Sequence, residues 1–540
     1  MYVLSHEAER LQLIDRLLQQ KDHAFLERVT VDEVGRGLLD AQTLQAARAL
    51  RLPATAIYLA TLGIENLPAP GDRPVWLAAY QSLGRGQASE ALARLPERLP
   101  LKWVVRQLLA ATAPDTATLR KCKGQAGDWL AAAELAVDHA RFDLLEALIA
   151  DGERRKQPLI DWLNLTKSLF VRHQLLGRQA DPEPLGRCYE RIRAMLPTHS
   201  LPLVNSRSRL ALYASQCYLQ AGKPAAAIAM ADQAKAPQDT LLRLIDLAKA
   251  HCHAGQLQQA LVWLDQLIAQ VAVPEKLAEF KAERETRELD AEAPPKFDPI
   301  EASQALVALQ QTLEPVGQKA FLVSGTLLGY AREGQLLAHD KDVDVGIIGW
   351  EDQFTVIHAL LQSGAFAVDT RRIGGAQTYH IPIKHLATGV SIDIFIYHRE
   401  NGKLVTGVQS YFGYLQKFAF TPFELKSVQF LGIPFHVPDD VERNLAENFG
   451  DWRVPDPGYI SHLESPSTVD VGGEVYQVVG RLRALEAIKA GQVDKLTRVI
   501  DLMRAHRSHP GGMGEDTLQR LGWVRDTLAA EIPHEVAEAC

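Results

Sequence analysis

For its first 290 residues the chain spaces apolar side chains three and four positions apart; near residue 300 it changes to short runs rich in β-branched and aromatic residues. The first pattern puts apolar groups on one side of a helix, and the second suits strands. One chain therefore has to build a helical part and a mixed α/β part. The stretch "KAERETRELDAEAPPKFDP", residues 281–299, is charged and then proline-rich, so it reads as a helix running out into a linker. After about 470 the helical texture returns. The expected organisation is multidomain: an α-helical, repeat-like region over 1–290, a linker over 291–300, an α/β domain over 301–468 and a helical segment over 469–540.

One phrase recurs in the helical part. "GRGQASEALARL" (84–95), "QAGKPAAAIAMA" (220–231) and "HAGQLQQALVWL" (253–264) each place a glycine turn before a small-residue helix, and "IKAGQVDKLTRVIDLM" (488–503) resembles them. From Gly222 to Gly255 the step is 33 residues, and Ala227 to Ala260 repeats it. This is close to the period of tetratricopeptide repeats, so degenerate stacked hairpins are expected; an irregular helical bundle is the plainer alternative. Stacked hairpins make concave surfaces, suited to an extended partner.

Bulk charge narrows the function. The net charge is −8 over 540 residues, with no basic block, which excludes the electrostatic footprint of a nucleic-acid or anionic-membrane binder. The five cysteines are scattered without a CxxC pair, which fits a reducing compartment and argues against structural zinc. The N-terminal stretch carries early acids and no long apolar core, so neither a signal peptide nor a membrane anchor is expected there, and the protein is expected to be cytoplasmic.

Within the α/β part, "KAFLVSG" reads as a strand, "TLLGYARE" as a helix opening at the Ser324-Gly325-Thr326 turn, "DVDVGII" as a strand and "EDQFTVIHALLQSG" as a helix. "TYHIPIKHL" and "VSIDIFIYH" follow as strands, with Asn401-Gly402 marking a tight hairpin. On a strand, residues two apart share a face, so Asp342 and Asp344 present their carboxylates to one side while Val343 and Val345 enter the core. Like charges on one face need a cation, and oxygen-only ligands suit Mg²⁺ or Mn²⁺. Asp393 is a further acid, in the middle of an apolar strand. If that strand pairs beside the first, three carboxylates converge. Upstream, the Ser-Gly-Thr turn opens a helix, where N–H groups and hydroxyls can hold a phosphate.

The order of turn, acid pair and third acid resembles the nucleotidyltransferase fold of the polymerase-beta type. The wording "VSGTLLGYAREGQLLAHDKDVDVGI", then "SIDIF", then "FLGIPFHVPDDVERNLAENFGDW" resembles the LicD and fukutin family over about residues 301–456. The resemblance implies a phosphotransferase that moves a phosphocholine or an alditol phosphate, such as ribitol or glycerol phosphate, from a CDP-activated donor to a sugar hydroxyl of a polysaccharide or glycolipid. It implies Asp342, Asp344 and Asp393 as catalytic and metal-binding residues, with Asp340 as a further acid. It also implies Ser324, Gly325, Thr326 and Arg332 on the donor's phosphates. Asp393 is open between completing the metal shell and accepting the proton of the attacking hydroxyl. An enzyme of this kind, lacking a membrane segment, is expected in the cytoplasm or peripherally at the inner face of the cell membrane. The sequence departs from the family's usual wording at His339, Lys341 and Phe449, and those exchanges bear on acceptor specificity.

Two other classes stand beside this one. A nucleotidyltransferase would use the same acids to pass NMP to a protein or small molecule and release pyrophosphate. A helical scaffold would carry an inactive catalytic module. Among neighbouring residues, Arg371, Arg372, His380 and Lys384 read equally well as a solvated strand face and are left outside the candidate site. "AHCHAG" at 250–255 reads as structural, since His251 and His253 do not share a helical face.

Overall fold

The computed structural model describes residues 100–110, 113–123, 129–130, 132–133, 136–137, 141–176, 182–290, 298–337, 340–349, 353–368 and 378–530. The glycine phrase at 84–95, the linker at 291–297, His339 and the Arg371-Arg372 pair lie outside them. The chain divides into two compact units, one ending at Asp246 and one beginning at Leu247.

The described part of the first unit is helical: helix Phe142–Arg155 packs on Pro182–Met195, which also packs on Leu159–Leu176 and Leu201–Gln220, and Leu201–Gln220 packs on Pro224–Ala231. The recurring glycines have a local reason: Gly222 and Gly255 each follow a helix with φ near +70°, a conformation that costs an L side chain but not glycine.

The second unit begins with α1 (Leu257–Val271) and α2 (Pro274–Asp290) and ends with α7 (Glu474–Ala490), α8 (Val493–Ala505) and α9 (Glu515–Ala530). Helix α1 packs on α7 and α9. Buried Arg481 of α7 forks onto Asp265 of α1, with Nε to Oδ1 at 2.7 Å and Nη2 to Oδ2 at 3.1 Å. The helices before and after the sheet thus form one array, and the α/β part is inserted within it. No helix among the described residues is long and apolar enough to cross a membrane.

The inserted part carries α3 (Pro299–Leu313), α4 (Ser324–Glu333), α5 (Gln353–Ser363), α6 (Val441–Phe449) and nine strands. These are β1 (Phe321–Leu322), β2 (Val343–Ile348), β3 (Phe366–Val368), β4 (His380–His385), β5 (Ser391–Glu400), β6 (Lys403–Gln409), β7 (Leu415–Phe420), β8 (Leu425–Phe430) and β9 (Ile433–Pro438). The sheet runs β3-β4-β5-β2-β1-β9-β8, with β6 on the end of β5 and β7 on β6. It is mixed: β2 runs parallel to β5 and β1 parallel to β9, while the other pairs are antiparallel.

Strand alternation sorts the two faces. Val343, Val345, Ile347, Ile392, Ile394 and Ile396 are buried in one core with α3, α4 and α5, each contributing about 1.5–3 kcal/mol of burial. The opposite face of β2 and β5 carries Asp344 and Asp393, and Asp342 precedes β2 by one residue. A smaller aromatic core of Phe321, Tyr397, Phe420 and Phe423 backs that face. Gly346, in phase with Asp344, leaves room for the Phe321 ring, which a Cβ at this position would overlap. Local signals set the helix ends: Asp298 accepts the Ile300 N–H before Pro299 opens α3, and Asp440 accepts the Arg443 N–H at the start of α6. Asn401 and Gly402, both at positive φ, turn β5 into β6.

Candidate active site

The parallel register sets Asp344 directly beside Asp393. Asp342 joins them, and one carboxylate oxygen from each of the three lies within 4.8 Å of the others. This is the one group of three or more acids, histidines or cysteines with such spacing among the described residues. Crowding shows in the titration of the acids. Burial, then the charges of Asp393 and Asp340, push the Asp342 carboxyl up to about 6, against smaller opposing effects of Lys341 and His380. Asp344 is raised further in the same direction by burial and by Asp342, Asp393 and Asp340.

The turn before α4 is tied to Asp344 by three bonds. The Val323 N–H donates to the Asp344 carbonyl at 3.4 Å, and the Gly325 N–H to Asp344 Oδ2 at 3.1 Å. The Asp344 N–H donates to Thr326 Oγ1 at 2.8 Å. Ser324 sits at φ +46°, a left-handed conformation costing a serine about 1–2 kcal/mol. Its Oγ is 3.5 Å from Asn448 Nδ2 of α6. A Cβ at position 325 would overlap the carboxylate of Asp340, so glycine is what lets that fourth acid reach the turn.

The sequence-predicted residues divide accordingly. Asp342, Asp344 and Asp393 come together, with Ser324, Gly325 and Asp340 around them. Thr326 is buried, and its hydroxyl oxygen serves the Asp344 backbone. Arg332, eight residues along from Ser324, turns to the segment after α6, where Nη2 donates to the carbonyls of Trp452 and, at 3.3 Å, of Val454. No carboxylate of the cluster is a partner of its guanidinium.

One neighbour lies outside the set that the sequence points to. His380 is 1% exposed, and its Nε2 lies 2.9 Å from Asp393 Oδ1. The signal that finds it is register: β4 pairs His380 with Phe395, which puts the imidazole on the face of Asp393, two residues away.

The donor set is oxygen-only and carries an excess of negative charge at close range, which fits a hard divalent cation rather than zinc.

Residues 317–440, from just before β1 to just past β9, match the family model described as LicD/FKTN/FKRP, nucleotidyltransferase domain. The chain is similar to ribitol-5-phosphate transferase FKTN of Mus musculus, 27% identical over 170 residues that make up 28% of this chain and 33% of that protein. The Homo sapiens FKTN protein is 25% identical over 170 residues, with the same coverage. An uncharacterized protein, RP689, of Rickettsia prowazekii (strain Madrid E) is 29% identical over 137 residues, covering 25% of this chain and 48% of that protein. The chain thus spans about a third of the length of the FKTN relatives. Residues 317–440, which hold the whole nine-stranded sheet and all three converging aspartates, are thus a domain of the LicD/FKTN/FKRP type.

Proposed function

We propose that the protein is a metal-dependent phosphotransferase, moving a phospho-alditol or phosphocholine group from a CDP-activated donor to a sugar hydroxyl of a surface polysaccharide or glycolipid. The observation that carries this reading is the meeting of Asp342, Asp344 and Asp393 at the N-terminal end of α4 within a domain of this family. The acceptor oxygen attacks the phosphorus that bears the alditol or choline. The bond from that phosphorus to the bridging oxygen breaks, CMP leaves with that oxygen, and the hydroxyl proton passes to a base.

Asp342, Asp344 and Asp393 are the residues that would hold Mg²⁺ or Mn²⁺, with Asp340 in reach of the same turn. When bound, such an ion neutralises charge on the diphosphate oxygens. Ser324 and Gly325, at the N-terminal end of α4, are assigned to the donor's phosphate. Thr326 fixes the strand that carries Asp344. Arg332 supplies positive charge on the same helix and anchors the segment after α6. Asp393 either completes that shell or takes the proton of the attacking hydroxyl. We read the domain as polymerase-beta type and the helices as tetratricopeptide-like, offering a surface for the acceptor or for a partner enzyme of the pathway. The expected place of work is the cytoplasm or the inner face of the cell membrane.

A donor screen tests the reaction class. CDP-ribitol, CDP-glycerol, CDP-choline and nucleoside triphosphates are offered with Mg²⁺, first by thermal shift and then by nucleotide release with a glycan extract, beside Asp342→Ala. Stabilisation by one CDP compound, with CMP release absent from the variant, is the expected result. Pyrophosphate release from a triphosphate would replace this reading with NMP transfer. Silence from every donor would leave a helical scaffold.

A further inference from the structure

The buried histidine beside the acid cluster has no part in the reaction as drawn above. His380 opens β4 with its ring stacked on Phe395, centroids 5.3 Å apart and planes 16° apart. Its Nε2 lies 2.9 Å from Asp393 Oδ1, yet neither ring nitrogen has a hydrogen bond in line. It is the one histidine among the described residues with both nitrogens buried and bare. Buried polar groups are normally bonded, and a phenylalanine or leucine would fill this slot without that cost. The contact that Nε2 does make is with a carboxylate of the cluster, close enough for a bond but off the axis of the ring N–H.

We infer that His380 is the positioning residue for Asp393. Its Nε2–H takes Oδ1 and sets the rotation of the carboxylate, so that Oδ2 is presented to the site shared with Asp342 and Asp344. Stacking on Phe395 restrains the imidazole plane, which makes the direction of the N–H a property of the sheet rather than of a free rotamer. The arrangement is a carboxylate ligand held by a second residue behind it, the kind of support that tunes affinity without touching the ion. The inference rests on the metal reading above.

Mn²⁺ binding to the metal-free full chain, followed by loss of the free-ion signal in electron paramagnetic resonance, tests it without any need for turnover. The wild type is compared with His380→Phe, which keeps the ring and its burial, and with His380→Gln, whose amide nitrogen is as many bonds from Cα as Nε2. Affinity is expected to fall about tenfold or more in His380→Phe and to recover to within about threefold of wild type in His380→Gln. The melting temperature of metal-free His380→Phe is expected to stay at or above that of wild type, which a purely structural histidine would not allow. Wild-type affinity in His380→Phe overturns the inference and leaves the metal site standing. Failure of the wild type to bind Mn²⁺ overturns both together. Should His380→Phe not fold, His380→Asn takes its place: it is polar but one bond too short to reach Oδ1, and tight binding by it is equally fatal.

Discussion

Asp342 bears the clearest cost of the cluster. A carboxyl raised from the usual value near 4 to about 6 binds its proton more tightly folded than unfolded. The folded state therefore gains from Asp342 fully below about pH 4 and loses that gain as pH rises through 6. For the metal-free chain this is of order 2–3 kcal/mol between those limits, and Asp344 adds to it in the same direction. Calorimetry in EDTA between pH 4.5 and 7.5 should show the wild type losing stability, with Asp342→Asn losing less and standing above it at neutral pH. Excess Mg²⁺ should cancel the loss in wild type and do little for the variant. Turnover in Asp342→Asn should fall by about two to three orders of magnitude, the scale of losing one group that stabilises developing charge. Gly325→Ala is a second change at this scale. Its methyl must displace the carboxylate of Asp340 from the turn, so Mg²⁺ dependence and turnover should suffer while the melting temperature moves by only a few degrees.

At the scale of elements, the site is a junction between β2 and α4, and Thr326 is the stitch. Thr326→Val keeps the shape but leaves the Asp344 N–H without its partner, which should cost about 1–3 kcal/mol in urea unfolding; Thr326→Ser should restore it. Much of this junction is legible in the sequence. Period-two spacing puts Asp342 and Asp344 on one face of "DVDVGII", and the glycine turn before "TLLGYARE" opens a helix at Ser324, as observed. Convergence with Asp393 is conditional in the sequence, because periodicity fixes which way a side chain points and not which strand lies alongside. The parallel register of Asp344 with Asp393, 49 positions later, meets that condition. His380 was illegible for the same reason: a histidine in "TYHIPIKHL" has no stated neighbour until β4 is paired with β5. Arg332 enters through the resemblance, and no local pattern points to the carbonyls that take its guanidinium, which lie 120 and 122 residues away.

For the whole molecule, helix texture before residue 290 and after 470 was readable, but amphipathic spacing names no partner. Within the second unit, α1, before the sheet, joins α7 and α9, after it, in one array, with the α/β part inserted between. Removing one side of the Arg481–Asp265 pair leaves a buried guanidinium with only the carbonyl and amide oxygens of Gln477. Asp265→Ala should therefore destabilise the second unit by about 3–5 kcal/mol, less any relief from the partial exposure of Asp265, measured as a shift in chemical unfolding. The pair spans 216 positions. On a ribosome adding about 5–20 residues each second, α1 emerges roughly 10–40 s before the helix that covers it. For that interval the nascent chain carries an uncovered apolar helix while an entire sheet is being made behind it, which makes this protein a natural client for chaperones that guard polypeptides still under synthesis.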